Sequence, residues 1–216
     1  MTKTAETILS PTTKTEPKTT REKLFETAVD LFSTQGFNGV SIRDLTRAIG
    51  IKESSFYNHY KSKDELIEAI FDYYKTAFGQ TMPPEERLET LLATTPPDEF
   101  LKQGDARFLQ RMTAPLIRKI WRIVFTEQYR DERARAIILQ DMIRSPLEFT
   151  EKVFKKMIEL DLIQPYDPKI LAKEYQYPVA FMFSNFLMLE ADEADTAGLK
   201  KQLAAHIDFF WKIIRK

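Results

Sequence analysis

Residues 41–63 read SIRDLTRAIGIKESSFYNHYKSK, and this stretch decides the fold. Ser41 begins a run in which apolar side chains recur at helical spacing, and Gly50 interrupts that run. A second short run extends from Glu53 to about Tyr60, with polar side chains on one side and aromatic ones on the other. Two short helices joined at a glycine predict a helix-turn-helix.

Capping residues mark the helices around this motif. Thr19 and Glu22 have the spacing of a capping box, in which each side chain bonds the other residue's backbone amide. An apolar stripe follows as far as Gly36, which we expect to end the helix with a positive φ. The same spacing recurs at two later helix starts, Ser41 with Asp44 and Ser62 with Glu65.

The composition favours an all-α protein. The chain has 216 residues, 43% of them hydrophobic, and helix-forming runs rich in Leu, Ile, Phe, Lys, Glu and Ala without period-two alternation. It has no cysteine, so disulfides and thiolate metal sites are excluded. Neither a secretory segment nor a membrane-spanning run is visible, and we therefore expect a cytoplasmic protein without membrane association.

The net charge of the chain does not indicate a nucleic-acid partner. The 32 Lys and Arg residues equal the 32 Asp and Glu residues, and residues 1–75 carry 11 of each sign. Binding to DNA would therefore have to depend on a few placed cations. Residues 1–18 carry three lysines and two glutamates and predict a disordered arm; the alternative is a basic arm that enters a minor groove.

Lys63 lies in the first turn of the helix that begins near Ser62. A cation there opposes the helix dipole, whereas a bound phosphate would be attracted by the lysine and by the helix amides together. We therefore expect a phosphate contact at Lys63. The alternative is a solvated lysine on an exposed turn.

Residues 19–75 resemble the DNA-binding domain of the TetR (tetracycline repressor) family of transcription regulators. The resemblance lies in a series of segments that match in order and spacing: Phe32 with Gly36 and Phe37, Ser41–Leu45, Ala48–Ile51, Phe56–Tyr60 and Lys61–Leu66. Lys52 departs from the pattern, since the family has a small or polar cap there. The resemblance implies a helix-turn-helix domain over 19–75, and a helical-bundle domain for ligand binding and dimerisation over 76–216.

The resemblance also implies which residues contact DNA. Tyr57, His59 and Lys63 would hold phosphates, and a second group would face base edges or the neighbouring backbone: Arg43, Lys52, Glu53, Ser54, Ser55 and Asn58. Thr19 and Ser41, at helix starts, complete the predicted set. The chemistry fits, since arginine pairs with guanine, asparagine with adenine and glutamate with cytosine. The alternatives are a core role for Tyr57 and a capping or packing role for His59.

Prolines divide residues 76–216 into predicted helices, at 85–93, 98–111, 114–128, 131–143, 146–160, 168–190 and 196–214. Ser145 and Asp167, each followed by proline, are expected to cap two of them, and Pro178 to kink the longest. Large apolar side chains in these helices predict a pocket for a small apolar or amphipathic effector, lined by Trp121, Phe125, Met142, Phe149, Phe154 and Phe181. The alternative is that these side chains form plain core.

The last two predicted helices carry more apolar residues than one face of a bundle needs, which predicts a homodimer interface. The residues concerned are Phe181, Phe186, Leu187, Leu189, Leu199, Leu203, Ile207, Phe210, Trp211 and Ile214. The alternative is that they complete the core of one chain. The acidic link over residues 190–195 is expected to be a solvated loop, and we predict no metal and no cofactor.

The leading hypothesis is a dimeric transcription regulator, a repressor that binds a near-palindromic operator in double-stranded DNA and is released by its effector. An enzyme is disfavoured, because His59 and His206 lie far apart and no nucleophile, phosphate-loop or metal motif accompanies them. We therefore predict no catalytic residue. A further alternative is a helical protein-interaction module that keeps the scaffold without binding an operator.

Overall fold

The structure is a computed structural model that describes residues 17–79 and 82–216. The predicted all-α class is confirmed, since the described residues form helices and one isolated β-bridge between Ile163 and Arg215. The helices are α1 (Thr20–Gln35), α2 (Ile42–Ala48), α3 (Glu53–Phe56), α4 (Lys63–Gly79), α5 (Leu88–Thr94), α6 (Pro97–Met112), α7 (Pro115–Glu127), α8 (Glu132–Ile137), α9 (Ser145–Glu159), α10 (Pro168–Ala191) and α11 (Gly198–Ile214). A 3₁₀ turn (Glu85–Arg87) precedes α5, and a π-helical segment (Ile138–Arg144) joins α8 to α9.

The predicted caps of α1, α2 and α10 are present. Reciprocal capping boxes form between Thr19 and Glu22 and between Ser41 and Asp44. The Asp167 side chain accepts from two backbone amides at the start of α10. At α4 only half of the predicted box forms: Ser62 Oγ accepts from the Glu65 amide at 3.0 Å, but Glu65 accepts from Lys61 rather than from Ser62.

The predicted cap at Ser145 is wrong. The backbone is already helical at Arg144, with φ −70° and ψ −54°, because the π-helical segment runs into α9 without a break. A capping residue needs an extended backbone, and Ser145 does not have one. Its hydroxyl lies 3.0 Å from Gln140 Nε2 instead. The predicted helix 131–143 is thus the start of a longer helical run.

Gly36 ends α1 as expected. Its φ is +73°, a conformation that side chains with a Cβ rarely adopt, and its amide donates to the Phe32 carbonyl. A Cβ at this position would also lie 3.3 Å from Glu127 Oε1. The turn that follows α1 therefore favours glycine through its backbone conformation, and the close approach of Glu127 adds a tight contact for any larger residue.

The described residues divide into two compact units, and the first contains residues 17–77 together with 115–135. Its core is built by α1, α3, α4 and α7, whose fully buried side chains include Phe25, Phe32, Phe56, Phe71, Tyr74 and Trp121. Residues 115–135, which the sequence-based boundary assigns to the second domain, belong here because α7 packs against α1. The α7 stripe of Ile117, Ile120 and Val124 is buried in that contact.

The second unit contains residues 78–114 and 136–216, within the described part of the chain. Here α10 packs against α9 and α11, and α11 also packs against α6. The centre is a cluster of rings from three helices, since Tyr175 of α10 meets Phe154 of α9 at 5.8 Å and Phe210 of α11 at 5.2 Å. Helix α10 continues through Pro178 to Ala191.

Candidate nucleic-acid interface

Arg43 of α2 is exposed to solvent, and a cap fixes the first turn of this helix. Ser41 caps the helix, and its hydroxyl and backbone amide both donate to the Asp44 carboxylate, which lowers the pKa of Asp44. The Asp44 amide in turn donates to Ser41 Oγ at 3.2 Å. Ser41 is exposed and so can reach an approaching phosphate, although its oxygen is already engaged in the cap.

Helix α3 is a single turn with one buried and one exposed side. Phe56 is fully buried, while Lys52, Glu53 and Ser54 are exposed and Ser55 is half-buried. Lys52 precedes the helix without a side-chain capping bond, as expected for a lysine at a position where a small polar residue would cap. The exposed polar atoms of α3 are therefore available to an external partner.

The predicted extent of this helix, from Glu53 to about Tyr60, is wrong. The helix ends at Phe56, and residues 57–59 form a turn closed by hydrogen bonds from the His59 and Tyr60 amides to the Phe56 carbonyl. Phe56 and Tyr60 are both buried, and the centres of their rings lie 6.0 Å apart.

Two of the predicted DNA contacts lie exposed in this turn. Tyr57 is 55% exposed, which confirms the expected surface position over the core alternative, and Asn58 is exposed as well. His59 is half-buried, and its carbonyl accepts from the Arg21 guanidinium, which also lies 4.2 Å from the centre of the Tyr60 ring. Arg21 thus fixes the turn that carries Tyr57 and Asn58.

Lys63 is engaged within the protein. Its ammonium donates to the carbonyls of Phe37 and Val40, each at 2.8 Å, and lies 4.2 Å from the centre of the Phe37 ring. These acceptors explain why a cation is tolerated at the start of α4. An ammonium has three donors, so a phosphate contact remains a prediction that would use the third.

Thr19 is exposed at the start of α1, where its role in the structure is the cap. The predicted disordered arm, residues 1–18, lies outside the described residues except for 17 and 18. Lys18 pairs with Glu26 at 2.7 Å. A DNA contact at Thr19 stays a prediction.

The six predicted pocket residues are divided between the two units. Trp121 and Phe125 belong to the first, where Trp121 is buried with its ring 5.0 Å from Tyr74. Phe154 is fully buried in the ring cluster of the second unit, whereas Met142 and Phe149 are half-buried. Phe181 is 72% exposed on α10 and so encloses no cavity of its own chain. Trp121 and Phe154 fit the core alternative.

Asp105, a half-buried acid in the second unit, has no counterpart in the sequence predictions. The Tyr175 hydroxyl donates to Asp105 Oδ2 at 2.6 Å, and His206 Nε2 lies 3.0 Å from the Tyr175 carbonyl. Burial raises the pKa of Asp105 to about 6, which the tyrosine bond partly opposes. Burial, followed by the charge and hydrogen bond of Asp105, raises the pKa of Tyr175 well above its usual value. Asp105 lies in a polar part of the sequence, where nothing indicated that it would accept a hydrogen bond from Tyr175.

A small pocket of about 70 Å³ lies between the end of α10 and the start of α11. Its walls are Met182, Asn185, Phe186, Leu189, Asp195, Thr196, Gly198, Leu199 and Gln202. This volume accommodates only a few non-hydrogen atoms. None of the predicted effector-lining residues is among its walls.

Most of the residues predicted for a dimer interface are buried in their own chain instead. Six of the ten complete the core of the second unit: Phe186, Leu199, Leu203, Ile207, Phe210 and Ile214. The exposed apolar surface on α10 and α11 is formed by a different set of residues, of which only Phe181 belonged to the prediction. The set is Ile170, Tyr177, Phe181, Met188, Phe209 and Ile213. Helical spacing could have separated the two sets, because 177, 181 and 188 share one face of α10.

Neither a metal cluster nor a membrane span is found in the part of the chain that the structure describes. No group of three His, Asp or Glu residues there could hold a metal ion. No helix of that part is long and apolar enough to cross a bilayer.

The comparison with family models gives a match inside the first unit. Residues 24–70 match the family model for bacterial regulatory proteins of the tetR family. An uncharacterised helix-turn-helix transcriptional regulator of Bacillus subtilis, YerO, is 28% identical over 144 residues, which cover 65% of this chain and 43% of YerO. The chain thus spans less than half of this curated relative.

Solved structures resemble the fold over most of its length. SmeT, the repressor of the Stenotrophomonas maltophilia multidrug efflux pump SmeDEF, superposes in its triclosan complex with a TM-score of 0.65 at 19% identity, over 92% of this chain and 93% of SmeT. A transcriptional regulator from Saccharomonospora viridis in complex with choline gives 0.59 at 20% identity, over 91% of this chain and 97% of that one. At these identities the likeness concerns the fold.

Proposed function

Since residues 24–70 match the family model for bacterial regulatory proteins of the tetR family, we propose that this chain is a member of that family and a sequence-specific DNA-binding regulator of transcription, a repressor that a small-molecule effector releases. Regulators of this family are not enzymes, and we propose no catalysis. Its place of action would be the cytoplasm, where bacterial DNA lies.

The observation that carries this proposal is the division of α3 into two sides. Phe56 is fully buried, while Lys52, Glu53 and Ser54 on the other side are exposed and polar. A recognition helix must combine such an anchor with an outward polar surface that reaches base edges. Because α3 has only four residues, we propose that Arg43 of α2 and the turn at Tyr57 and Asn58 extend the reading surface.

Each side chain has a proposed role that follows from its donors and acceptors. Arg43 would bind guanine through two hydrogen bonds, Asn58 would read adenine, and Glu53 would accept from cytosine. Backbone contacts would come from the remaining predicted residues: Thr19, Ser41, Lys52, Ser54, Ser55, Tyr57, His59 and Lys63. These contacts fix the register of the protein on the duplex.

We propose that two copies bind together through the exposed apolar surface of α10 and α11. The chain carries no net charge, so one copy would have little general attraction to DNA. Phe181 at 72% and Phe209 at 66% exposure are unusual for side chains that stay in water. A two-fold dimer would read a near-palindromic operator with half-sites about 34–36 Å apart or a multiple of this.

The effector is proposed to be a small apolar or amphipathic molecule. SmeT with triclosan and the Saccharomonospora viridis regulator with choline share this chain's fold and hold molecules of this size. Binding would release DNA only if the effector prefers a conformation that binds DNA poorly. We propose Met142 and Phe149, which are partly accessible in the second unit, as the residues most able to contact it.

The test is a binding measurement on DNA from upstream of the gene for this protein, against random duplex of equal length at moderate salt. Wild type should prefer the upstream DNA, and Arg43→Ala combined with Tyr57→Ala should remove that preference without changing folding or dimerisation. Lys75→Ala is the matched control, because Lys75 lies near the far end of α4 and pairs with Asp72 at the surface.

Two results would reject the proposal. If wild type prefers no upstream or genomic duplex over random DNA, the helical scaffold serves another purpose, and a protein-interaction module becomes the better hypothesis. If the double variant binds as tightly as wild type, the exposed side of α3 is not the reading surface.

A further inference from the structure

The turn between α1 and α2 is held on both sides by charged side chains from other helices. Glu127 Oε1, from α7, accepts from the Phe37 amide at 2.9 Å. Lys63 Nζ, from α4, donates to the Phe37 carbonyl at 2.8 Å and to the Val40 carbonyl at the same distance. The N–H and C=O of one residue, Phe37, are thus both bonded to ionisable side chains.

Glu127 is unusual for a glutamate because it is only 3% exposed. Burying a carboxylate is costly unless hydrogen bonds compensate for the lost water. Glu127 lies three residues after Val124 and continues the buried stripe of α7, where an apolar residue would be the ordinary choice. Its bond to the Phe37 amide gives the carboxylate a structural reason to be there.

The position of Glu127 is itself well fixed. It is the last residue of α7, and its carbonyl accepts from the Arg130 and Asp131 amides at 2.8 Å each. The side chain is also close to Gly36, where a Cβ would lie 3.3 Å from Oε1. The carboxylate therefore lies against the turn at Gly36, where an added Cβ would make a tight contact with it.

This turn determines where the helix-turn-helix begins. Residues 37–40 connect α1 to Ser41, the cap of α2, and α2 leads directly to α3. We infer that Glu127 is a positioning residue for DNA reading: its bond to the Phe37 amide fixes the α1–α2 turn and thereby the placement of Arg43 and α3 against α1. This inference rests on the proposed function.

The test compares variants of Glu127 in the full chain. Glu127→Met fills the buried site but lacks a good acceptor, whereas Glu127→Gln keeps an oxygen that can accept from the Phe37 amide. Lys119→Ala is the matched control, because it removes another contact between α7 and α1, the exposed pair with Asp30 at 2.6 Å, without touching the turn. If Glu127→Met does not fold, Glu127→Ala takes its place.

Two measurements are needed. Hydrogen exchange of the Phe37 amide should become about tenfold faster or more in Glu127→Met, the factor expected for loss of a hydrogen bond to a charged group. Affinity for the operator should fall in the same variant, while Glu127→Gln and Lys119→Ala stay close to wild type in both measurements.

The outcomes separate this inference from the proposed function. Unchanged hydrogen exchange of the Phe37 amide in Glu127→Met would contradict the fixing of the α1–α2 turn by Glu127, even if wild type binds an operator tightly. Faster exchange with undiminished operator affinity would overturn the positioning role. If wild type prefers no duplex, the proposed function fails and the role in DNA reading fails with it, whatever the exchange at Phe37 shows.

Discussion

Replacement of Asp105 by asparagine should stabilise the protein at neutral pH. Asp105 of α6 is half-buried, and its carboxylate accepts from the Tyr175 hydroxyl at 2.6 Å. Asparagine keeps an oxygen in the same place, so the bond from Tyr175 can persist. What the substitution removes is the charge, whose burial raises the pKa of Asp105 to about 6.

The magnitude follows from the difference between the folded and unfolded pKa values. A carboxyl group with a pKa of about 6 in the folded protein and 3.8 in the unfolded chain binds its proton more tightly when folded. The contribution of Asp105 to the free energy of unfolding is therefore greatest below pH 3.8 and is lost as the pH rises from there through about 6. The total loss approaches about 3 kcal/mol, an upper figure because water reaches part of the residue.

Urea unfolding at about pH 4.5 and about pH 7.5, at one fixed protein concentration, measures this effect. Asp105→Asn should be more stable than wild type at the higher pH by up to about 3 kcal/mol, and the gain should shrink by about two thirds at the lower pH. Asp98→Asn is the matched control on α6, where a surface pair with Lys102 is worth less than about 1 kcal/mol. A variant that is no more stable than wild type at the higher pH would refute the raised pKa.

Three further substitutions test other features. Gly36→Ala should lower the free energy of unfolding by about 1–3 kcal/mol because φ is +73° at this position. Gly104→Ala, in the interior of α6 where a Cβ meets no other atom, should instead raise the free energy of unfolding by about 0.5–1 kcal/mol. Equal effects of the two substitutions would contradict the strain at Gly36. Ser41→Ala should cost about 1 kcal/mol of thermal or urea stability through the lost cap, and an unchanged midpoint would contradict this. Phe209→Glu should give monomers in analytical ultracentrifugation, while Leu139→Glu, at another exposed apolar site on the π-helical segment, should not. A dimeric Phe209→Glu would place the interface elsewhere.

Features set by neighbouring residues could be predicted from the sequence. The caps at Thr19, Ser41 and Asp167 depend on side chains within three positions of each other, so their spacing was enough. The fold class and the exposure of Tyr57 followed from helical periodicity. The same local logic failed at Ser145, because capping chemistry matters only where the helix begins and the chain there is already helical.

Features set by distant partners could not be predicted. Glu127 bonds an amide 90 positions earlier, and in the sequence it is one glutamate among many charged residues; only its place on the α7 stripe hinted at burial. The bonds from Lys63 to the Phe37 and Val40 carbonyls could not be predicted either, because these partners lie 26 and 23 positions away in the sequence. Likewise, periodicity could show that α10 and α11 were apolar but not which face the chain itself would cover.

The participation of α7 in the first unit has a practical consequence for anyone who divides this protein. A fragment that stops after α4 would lack residues 115–135, and the ring of Tyr74 would lose its contact with Trp121. A chimaera that replaces only the N-terminal segment of this chain would remove the partner of Glu127 in the same way. The first unit is therefore built from two stretches of chain, and an exchange that is meant to preserve this unit should include both stretches.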